Sequence, residues 1–255
     1  KKAVGFQAKK DEFWMHVPNV SYYWVTQGRH IVVDPVEGAD ESSIRLFLLG
    51  SCLGALLMQR NFFILHSNVI QVGSHAISIA GVSGAGKSAL SGSFVKRGYS
   101  ILADDVCAIN TAGEVLPSFP HMKLWADTAN KLSIDTQPLR KIRPNIEKYA
   151  VPLTTNFYPH PLPLKLVYIL NSHNRETIEM KSITGFEKYR SLFAQSYRRA
   201  LVKSLGKEHL YKTYFMRLAG SIPLVRLTRP DVGNSLEALT DFIESDLRHR
   251  ELLNG

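Results

Sequence analysis

Eight consecutive residues carry the clearest chemistry in this chain. Gly81-Val82-Ser83-Gly84-Ala85-Gly86-Lys87-Ser88 fits the pattern G-x-x-x-x-G-K-[ST]. Its glycines let the backbone curl so that successive N–H groups point at phosphate oxygens, and the positive end of a following helix faces the same spot. In that arrangement Lys87 reaches the β- and γ-phosphates of a nucleotide and the Ser88 hydroxyl binds Mg²⁺. The expected phosphate-binding set is Gly81, Ser83, Gly84, Ala85, Gly86, Lys87, Ser88 and Ala89. A second group follows at Asp104-Asp105, and a lone histidine, His66, lies 21 residues before Lys87.

The elements around these residues must bring them together. Ala76, Ile77, Ile79 and Ala80 form a short apolar run that suits a buried strand before the loop. Lys87 to Arg97 carries Leu90, Phe94 and Val95 at helical spacing, and Gly98 supplies a helix-ending residue. Tyr99 to Ala103 reads as a second strand, leading straight into the two aspartates. Two parallel strands joined by a helix have their carboxyl ends on one edge of the sheet, where ligands of open α/β sheets bind. An Asp pair in a turn is ordinarily a solvated cap. At the end of this strand it is instead expected beside the phosphate loop. A histidine at a strand edge is ordinarily structural, and His66 by itself points to no chemistry.

Upstream, residues 1–35 alternate aromatic and polar positions, broken by Pro18-Asn19 and Gly28-Arg29, which predicts a small antiparallel meander. Asp40 or Ser42 is expected to cap a helix running to about Gln59, apolar nearly all round and therefore buried. Residues 1–60 thus read as a meander plus adapter helix, and 61–255 as the catalytic unit. Downstream, Phe62–Leu65 and Val69–Val72 are strand candidates, and Val106–Asn110 and Val115–Phe119 flank a hairpin turn. Lys123 and Trp125 should lie near the phosphate-binding rim. Residues 137–149, with Arg140, Lys141, Arg143 and Lys148 among Pro138 and Pro144, read as a mobile basic loop that is either a solvated surface or a lid over phosphates. Leu164–Leu170 has the apolar density of a central strand. Ile178–Ile183 and Ile222–Leu227 are further strands. Phe186–Leu205, Glu208–Leu218 and Asn234–Leu247 read as helices. Asn130-Lys131 begins a guanine-reading Asn-Lys-x-Asp, but Ser133 stands where the Asp is needed.

Composition narrows the function classes. With 255 residues and 45% hydrophobic content, the chain can bury one sizeable core plus a smaller unit. The formal charge of +9 is uneven: residues 185–217 hold eight Lys or Arg against Glu187 and Glu208. No zinc-finger or RNP-like pattern accompanies it, so an acidic peptide or a phosphate-rich ligand is expected rather than nucleic acid. Cys52 and Cys107 lie far apart without metal-ligand spacing, which suggests reduced thiols and a cytoplasmic setting. The longest apolar run, Leu46–Met58, is too short to span a bilayer, so no membrane association is expected. No signal peptide is visible, and the start at Lys1 leaves a processed or tagged origin open.

Residues from about 62 to 109 resemble the catalytic domain of the HPr kinase/phosphorylase family. That family shows a His, a strand, G-x-S-G-x-G-K-S, a helix ending K-R-G and a strand ending A-D-D. Here these are His66, Gly81 through Ser88, Lys96-Arg97-Gly98 and Ala103-Asp104-Asp105. The front end resembles HPr-kinase-like proteins of peptide biosynthetic clusters, including lasso-peptide tailoring kinases that phosphorylate a precursor's C-terminal serine. The resemblance implies an α/β phosphate-loop core of the HPr kinase/phosphoenolpyruvate carboxykinase type, with a mixed sheet and a small N-terminal meander. It implies ATP and Mg²⁺, with Lys87 and His66 in the active site. One of Asp104 and Asp105 becomes the base that takes the acceptor's proton, Asp105 by preference, and Asp105 joins Ser88 at the metal. The chain departs from the family in two places. Met122-Lys123-Leu124-Trp125 stands where a metal-binding Glu belongs, and Pro161-Leu162-Pro163-Leu164-Lys165 replaces Pro-Gly-Arg-Asn-Leu.

Two classes of function compete on these residues: a serine kinase acting on a peptide or protein, and a nucleotide-binding regulator that performs no transfer. A small-molecule kinase is a third option. The acid pair and His66 favour transfer, because binding alone needs no base at the phosphate edge. The expected acceptor is an acidic or Ser-terminated peptide, and homo-oligomerisation is left open.

Overall fold

The two-residue alternation of the first 35 residues becomes a four-stranded antiparallel sheet in a computed structural model that describes residues 4–231 and 236–253. Its strands are β1 (Gly5–Lys9), β2 (Glu12–Val17), β3 (Ser21–Thr26) and β4 (His30–Pro35). Phe13, Met15, Tyr23 and Val25 are buried on one face, while Tyr22 and Trp24 remain exposed on the other. Asp40 caps α1 (Glu41–Phe47), accepting from the Ser43 N–H at 2.7 Å. The chain then passes through a π-turn, Leu48–Cys52, into α2 (Leu53–Gln59).

This adapter helix corrects two expectations. It is continuous over Glu41–Gln59, 19 residues, and by length and composition alone is long and apolar enough to cross a membrane. The apolar run understated it because the helix extends through the polar first turn that Asp40 caps. Nor is it buried all round. Cys52, Ala55 and Met58 are sealed in the core, whereas Leu46, Leu49, Leu53 and Leu57 are only half-buried.

The remaining strands begin with β5 (Phe63–Leu65), β6 (Ser67–Val72) and β7 (His75–Gly81). After α3 (Lys87–Lys96) come β8 (Ile101–Ala103), β9 (Cys107–Ile109), β10 (Glu114–Leu116) and β11 (His121–Trp125). Then follow α4 (Ala126–Lys131), β12 (Lys141–Arg143), β13 (Ile146–Pro152), β14 (Leu162–His173) and β15 (Glu179–Ile183). The chain described closes with α5 (Phe186–Ala194), α6 (Arg199–Ser204), α7 (Glu208–Ser221), β16 (Leu224–Pro230) and α8 (Leu236–His249). The first residues of the predicted last helix, from Asn234, lie outside the described residues.

A mixed nine-stranded sheet is the spine. Its centre is β14, paired in parallel with β7 on one side and with β16 on the other. Beyond β7 lie β6 and then β8, each antiparallel to its neighbour, so β8 runs in the direction of β7. The amino end of β14 also pairs with β10, which carries β9 and β5. Alternate residues feed two cores on opposite faces. Ile70, Ile77, Ile79, Tyr168 and Leu170 pack with α3 and α8. Val69, Ala76, Ala80, Val167 and Ile169 join a core that continues into the N-terminal sheet, α2 and α7. Arg97 at the end of α3 pairs with Glu237, Asp241 and Glu244 of α8 and ties the helix after the glycine-rich turn to the C-terminal helix.

Two further expectations change. Residues 137–149 are not a loop: β12 and β13 form a hairpin that pairs with β11 in a three-stranded sheet. The two prolines hid it by lying outside the paired positions. The helix expected over 186–205 is broken at residues 195–198. There the Gln195 carbonyl accepts from the His66 N–H at 2.8 Å and the Tyr197 N–H donates to the Ile64 carbonyl at 2.9 Å. Backbone pairing with β5 outcompetes one helical turn.

Candidate active site

The carboxyl ends of β7 and β8, like those of β14 and β16, lie at one edge of the sheet. From β7 the chain enters the glycine-rich turn. Gly81, Gly84 and Gly86 have φ of +151°, +83° and +105°, a range that a β-carbon disfavours. At Gly81 a β-carbon would also lie 2.6 Å from the Leu170 carbonyl oxygen on β14. Ser83 and Gly84 at the tip are exposed, Ala85 is buried, and Ser88 and Ala89 sit half-buried in the first turn of α3. Lys87 is buried and donates to the Gly81 carbonyl at 2.8 Å and the Val82 carbonyl at 3.2 Å. Burial lowers its pKa, opposed by the nearby Asp105 charge. The ammonium is thus bridged to the loop's own backbone.

The two aspartates share a strand end but have opposite surroundings. Asp104 is buried, and both of its oxygens are committed: Oδ1 accepts from Asn68 Nδ2 at 2.9 Å, Oδ2 from the Lys123 backbone N–H at 3.0 Å. Burial first, then the Asp105 charge, pushes its carboxyl up to about 6. Asp105 turns away in a left-handed conformation, φ +68°, one that Asp tolerates better than most side chains. Burial works to raise its pKa, but Lys123 and Lys148 outweigh that and hold it down at about 2. Lys123 Nζ lies 2.6 Å from Asp105 Oδ2 and 3.7 Å from Asp104 Oδ2. The two carboxylates push the Lys123 pKa well up despite its burial. Asp105 is therefore an ionised carboxylate at the sheet edge that carries the glycine-rich turn, and Asp104 anchors the strand end.

His66 occupies the single residue between β5 and β6. Its Nδ1 lies 3.1 Å from the Asp105 carbonyl. A carbonyl only accepts, so this bond needs the proton on Nδ1 and leaves Nε2 as an acceptor. Burial and then the Lys87 charge lower its pKa, keeping the ring neutral near pH 7. Of the four residues expected to be catalytic, Lys87 feels the charges of both Asp104 and Asp105, and His66 those of Lys87 and Asp105.

Two participants, Asn68 and Arg229, escaped the sequence reading, and a third, Arg198 of the basic segment, takes a place that it did not foresee. Asn68 holds both aspartates, with its amide on Asp104 Oδ1 and its Oδ1 3.3 Å from the Asp105 N–H. Its signal was a polar Asn immediately before the apolar run Val69–Ile70 of β6. Arg229, near the carboxyl end of β16, donates from Nε to the Ala85 carbonyl at 3.1 Å and lies against Gly86. An Arg at the exit of a parallel strand was the available clue. Arg198 lines a cleft of about 310 Å³ with His66, Gly81, Val82 and Tyr197. It arrives there only because the helix breaks.

The basic segment 185–217 does not form one surface. Arg198 faces the phosphate loop, Arg217 binds the Thr111 carbonyl at the β9–β10 turn, and Lys207 binds Asn61. Cys52 and Cys107 are buried, with thiols pushed up by burial to about 12.

Among the described residues no three His, Cys, Asp or Glu side chains converge as a metal site. The donors at the loop, a Ser88 hydroxyl and the Asp105 carboxylate, are hard oxygens of the kind Mg²⁺ takes alongside phosphate and water. They fit an ion held mainly by a nucleotide.

No family model matches the chain, and no curated protein matches it. Among solved structures it is similar to the HPr(Ser) kinase/phosphatase from Coxiella burnetii, at 11% identity and a TM-score of 0.35, over 74% of this chain and 98% of that one.

Proposed function

We propose that this protein is an ATP-dependent kinase that phosphorylates a hydroxyl group, the acceptor being a serine at or near the C-terminus of a peptide. The observation that carries the reading is the shared sheet edge. A G-x-x-x-x-G-K-[ST] turn leads from β7 into α3, and the ionised Asp105 stands at the end of β8, close enough for its charge to act on Lys87. Nucleotide binding alone uses such an acid only as a metal ligand, whereas transfer also gives it a hydroxyl proton to take.

In the reaction, the backbone N–H groups of residues 81–88 hold the phosphates and the Lys87 ammonium leaves the Gly81 and Val82 carbonyls for the β- and γ-oxygens. Ser88 and Asp105 would hold Mg²⁺, which supplies neutralisation of phosphate charge. The acceptor oxygen bonds to the γ-phosphorus as the bond to the β-phosphate oxygen breaks, ADP departs, and the hydroxyl proton passes to Asp105. A carboxylate held at about 2 is a weak base. It suits a loose transition state, where the hydroxyl is oriented early and loses its proton late. His66, neutral and bound to the Asp105 carbonyl, fixes the backbone that aims that carboxylate.

One observation favours a second reading, a regulator that binds nucleotide without transfer: Lys123 already occupies Asp105 at 2.6 Å. Incubation with labelled ATP, Mg²⁺ and an acidic Ser-terminated peptide, read by mass, separates the two. A gain of one phosphate on the peptide supports the kinase. Nucleotide binding with no transfer to peptide, protein or small hydroxyl compounds supports the regulator.

A further inference from the structure

The half-buried leucines of the adapter helix face a space that no side chain fills. Helix spacing puts Leu46, Leu49, Leu53 and Leu57 on one stripe, and that stripe walls a cavity of about 380 Å³. Opposite stand Ile142 of β12 and Ala150 of β13, and the floor is formed by Val106, Ala108 and Leu116. The cavity runs up to Asp104 and to Lys123, whose ammonium is 2.6 Å from Asp105 Oδ2, and it shares no lining residue with the His66 cleft. Its volume is in the range of small-ligand sites, and its walls are mostly apolar with a few polar groups at one end. The π-turn Leu48–Cys52 lies in the wall through Leu49 and Gly50. Such turns cluster at functional sites because they re-aim one helical face.

The polar groups have one dominant sign. Arg45, Arg140 and Lys123 line the cavity beside a His121 ring that burial, Lys123 and Arg140 keep neutral, against Asp104 as the one carboxylate. Asp104 is fully occupied by Asn68 and Lys123. Arg45 is paired with Glu41. Arg140 is exposed and, among the described residues, makes no ion pair, and its charge helps to lower the pKa of His121. An apolar chamber with an uncompensated guanidinium at its polar end fits an apolar group that carries a carboxylate.

We propose that this cavity is the acceptor subsite: it takes an apolar side chain next to the phosphorylated serine, while Arg140 holds the acceptor's terminal carboxylate. The proposal rests on the kinase reading for the position of the serine, but the binding chemistry does not. Ac-Ala-Phe-Ser-OH, bound in this way, buries its phenyl ring against Leu49 and Leu53 and carries its hydroxyl toward Asp105.

Titration calorimetry with four probes tests it: Ac-Ala-Phe-Ser-OH, Ac-Ala-Gly-Ser-OH, the amide of the first, and N-acetylphenylalanine, which has no acceptor hydroxyl. Each is measured against wild type, Leu53→Trp, which fills the chamber, and Arg140→Ala, an exposed change that leaves the core intact. ATP affinity is measured in parallel as proof of folding. The expected result is that Phe exceeds Gly by at least tenfold in wild type, with the difference abolished in Leu53→Trp. Arg140→Ala should remove the preference for acid over amide. Equal affinity for the Phe and Gly peptides, or a preference that survives both variants, overturns the subsite. Binding of N-acetylphenylalanine that Leu53→Trp abolishes, with no peptide phosphorylated, upholds the cavity as a site for apolar carboxylates and removes the kinase reading. Phosphorylation of both peptides with one KM does the reverse.

Discussion

Lys87 is buried and Asp105 half-buried, both charges held by protein groups, yet they are tied in different ways. Lys87 is bridged to two neutral carbonyls, bonds that phosphate oxygens can replace at small cost. Lys87→Ala should lower turnover about 10²–10³-fold, the effect of losing one preorganised positive group at a transition state that spreads negative charge. Unchanged turnover would refute the site. Asp105→Asn should leave ATP affinity within about twofold while kcat falls about 10²–10⁴-fold. Asp104→Asn should act on stability, because one of its two buried bonds becomes donor against donor or loses its charge, at a cost of about 1–3 kcal/mol. An inactive but stable Asp104→Asn beside an active Asp105→Asn would exchange the two roles. The low pKa of Asp105 has a consequence of definite sign. Its carboxyl is held at about 2, below the ordinary 3.8, so its ion pair stabilises the fold above about pH 4 and that contribution is lost as pH falls toward 2. Urea midpoints of wild type and Asp105→Asn should therefore differ at pH 5 and converge by pH 2. A pH-independent difference would mean that the ion pair with Lys123 contributes nothing.

At the scale of elements, the site depends on how closely β7 and β14 approach where the phosphate loop begins. Gly81 pairs with Leu170 across the parallel ladder, and a β-carbon there would meet backbone rather than a movable side-chain end. Gly81→Ala should cost about 2 kcal/mol or more, since strain at a positive φ adds to the clash. A loss of several degrees in Tm by calorimetry is the expected reading, and an unaltered Tm would show that the turn can relax. The hairpin of β12 and β13 matters for another reason. It is packed on α1, with Arg143 5.6 Å above the Phe47 ring, and so fixes the roof of the apolar cavity. Lys148 reaches the acid pair from that same hairpin. A flexible lid could not hold an ammonium in place to depress a carboxylate.

For the whole molecule, the net charge of +9 sets up a field that attracts anionic ligands at low salt. The proposed peptide acceptor should therefore show a KM that rises more than that of ATP as ionic strength is raised well above physiological. Arg198 belongs to the phosphate-loop cleft and Arg199 adjoins it in α6, whereas Arg217 is engaged at Thr111. Replacing Arg198 and Arg199 together with Ala should raise the peptide KM with kcat at saturating peptide largely kept, and the same double change should reduce the salt sensitivity. Replacing Arg217 should do neither. Equal salt effects on both substrates would reduce the basic segments to a solvated surface.

The glycine-rich turn, the strand before it, the helix after it and the acid pair at the same sheet edge were all legible in the amino-acid sequence. Each is a local pattern: glycines where the backbone needs positive φ, an apolar run of strand length, helical spacing closed by Gly98. The N-terminal meander was legible for the same reason, since a sheet with one buried face writes its period of two into the chain. What tertiary structure decided is whatever depends on a partner distant in sequence. Asn68 and Lys123 meet the aspartates from other strands; Lys123 was expected near that rim, but its pairing with the two carboxylates is set only by where β11 lies. Arg229 reaches Ala85 because β16 adds beside β14 and ends at the same sheet edge. The break before α6 follows from backbone pairing with Ile64 and His66, which overrides a good helical sequence. The stripe of leucines in the adapter helix was visible as apolar, but burial and exposure to a cavity leave the same mark on a sequence. Only the placement of the β11–β13–β12 sheet opposite that stripe turns an apolar helix face into the wall of a pocket.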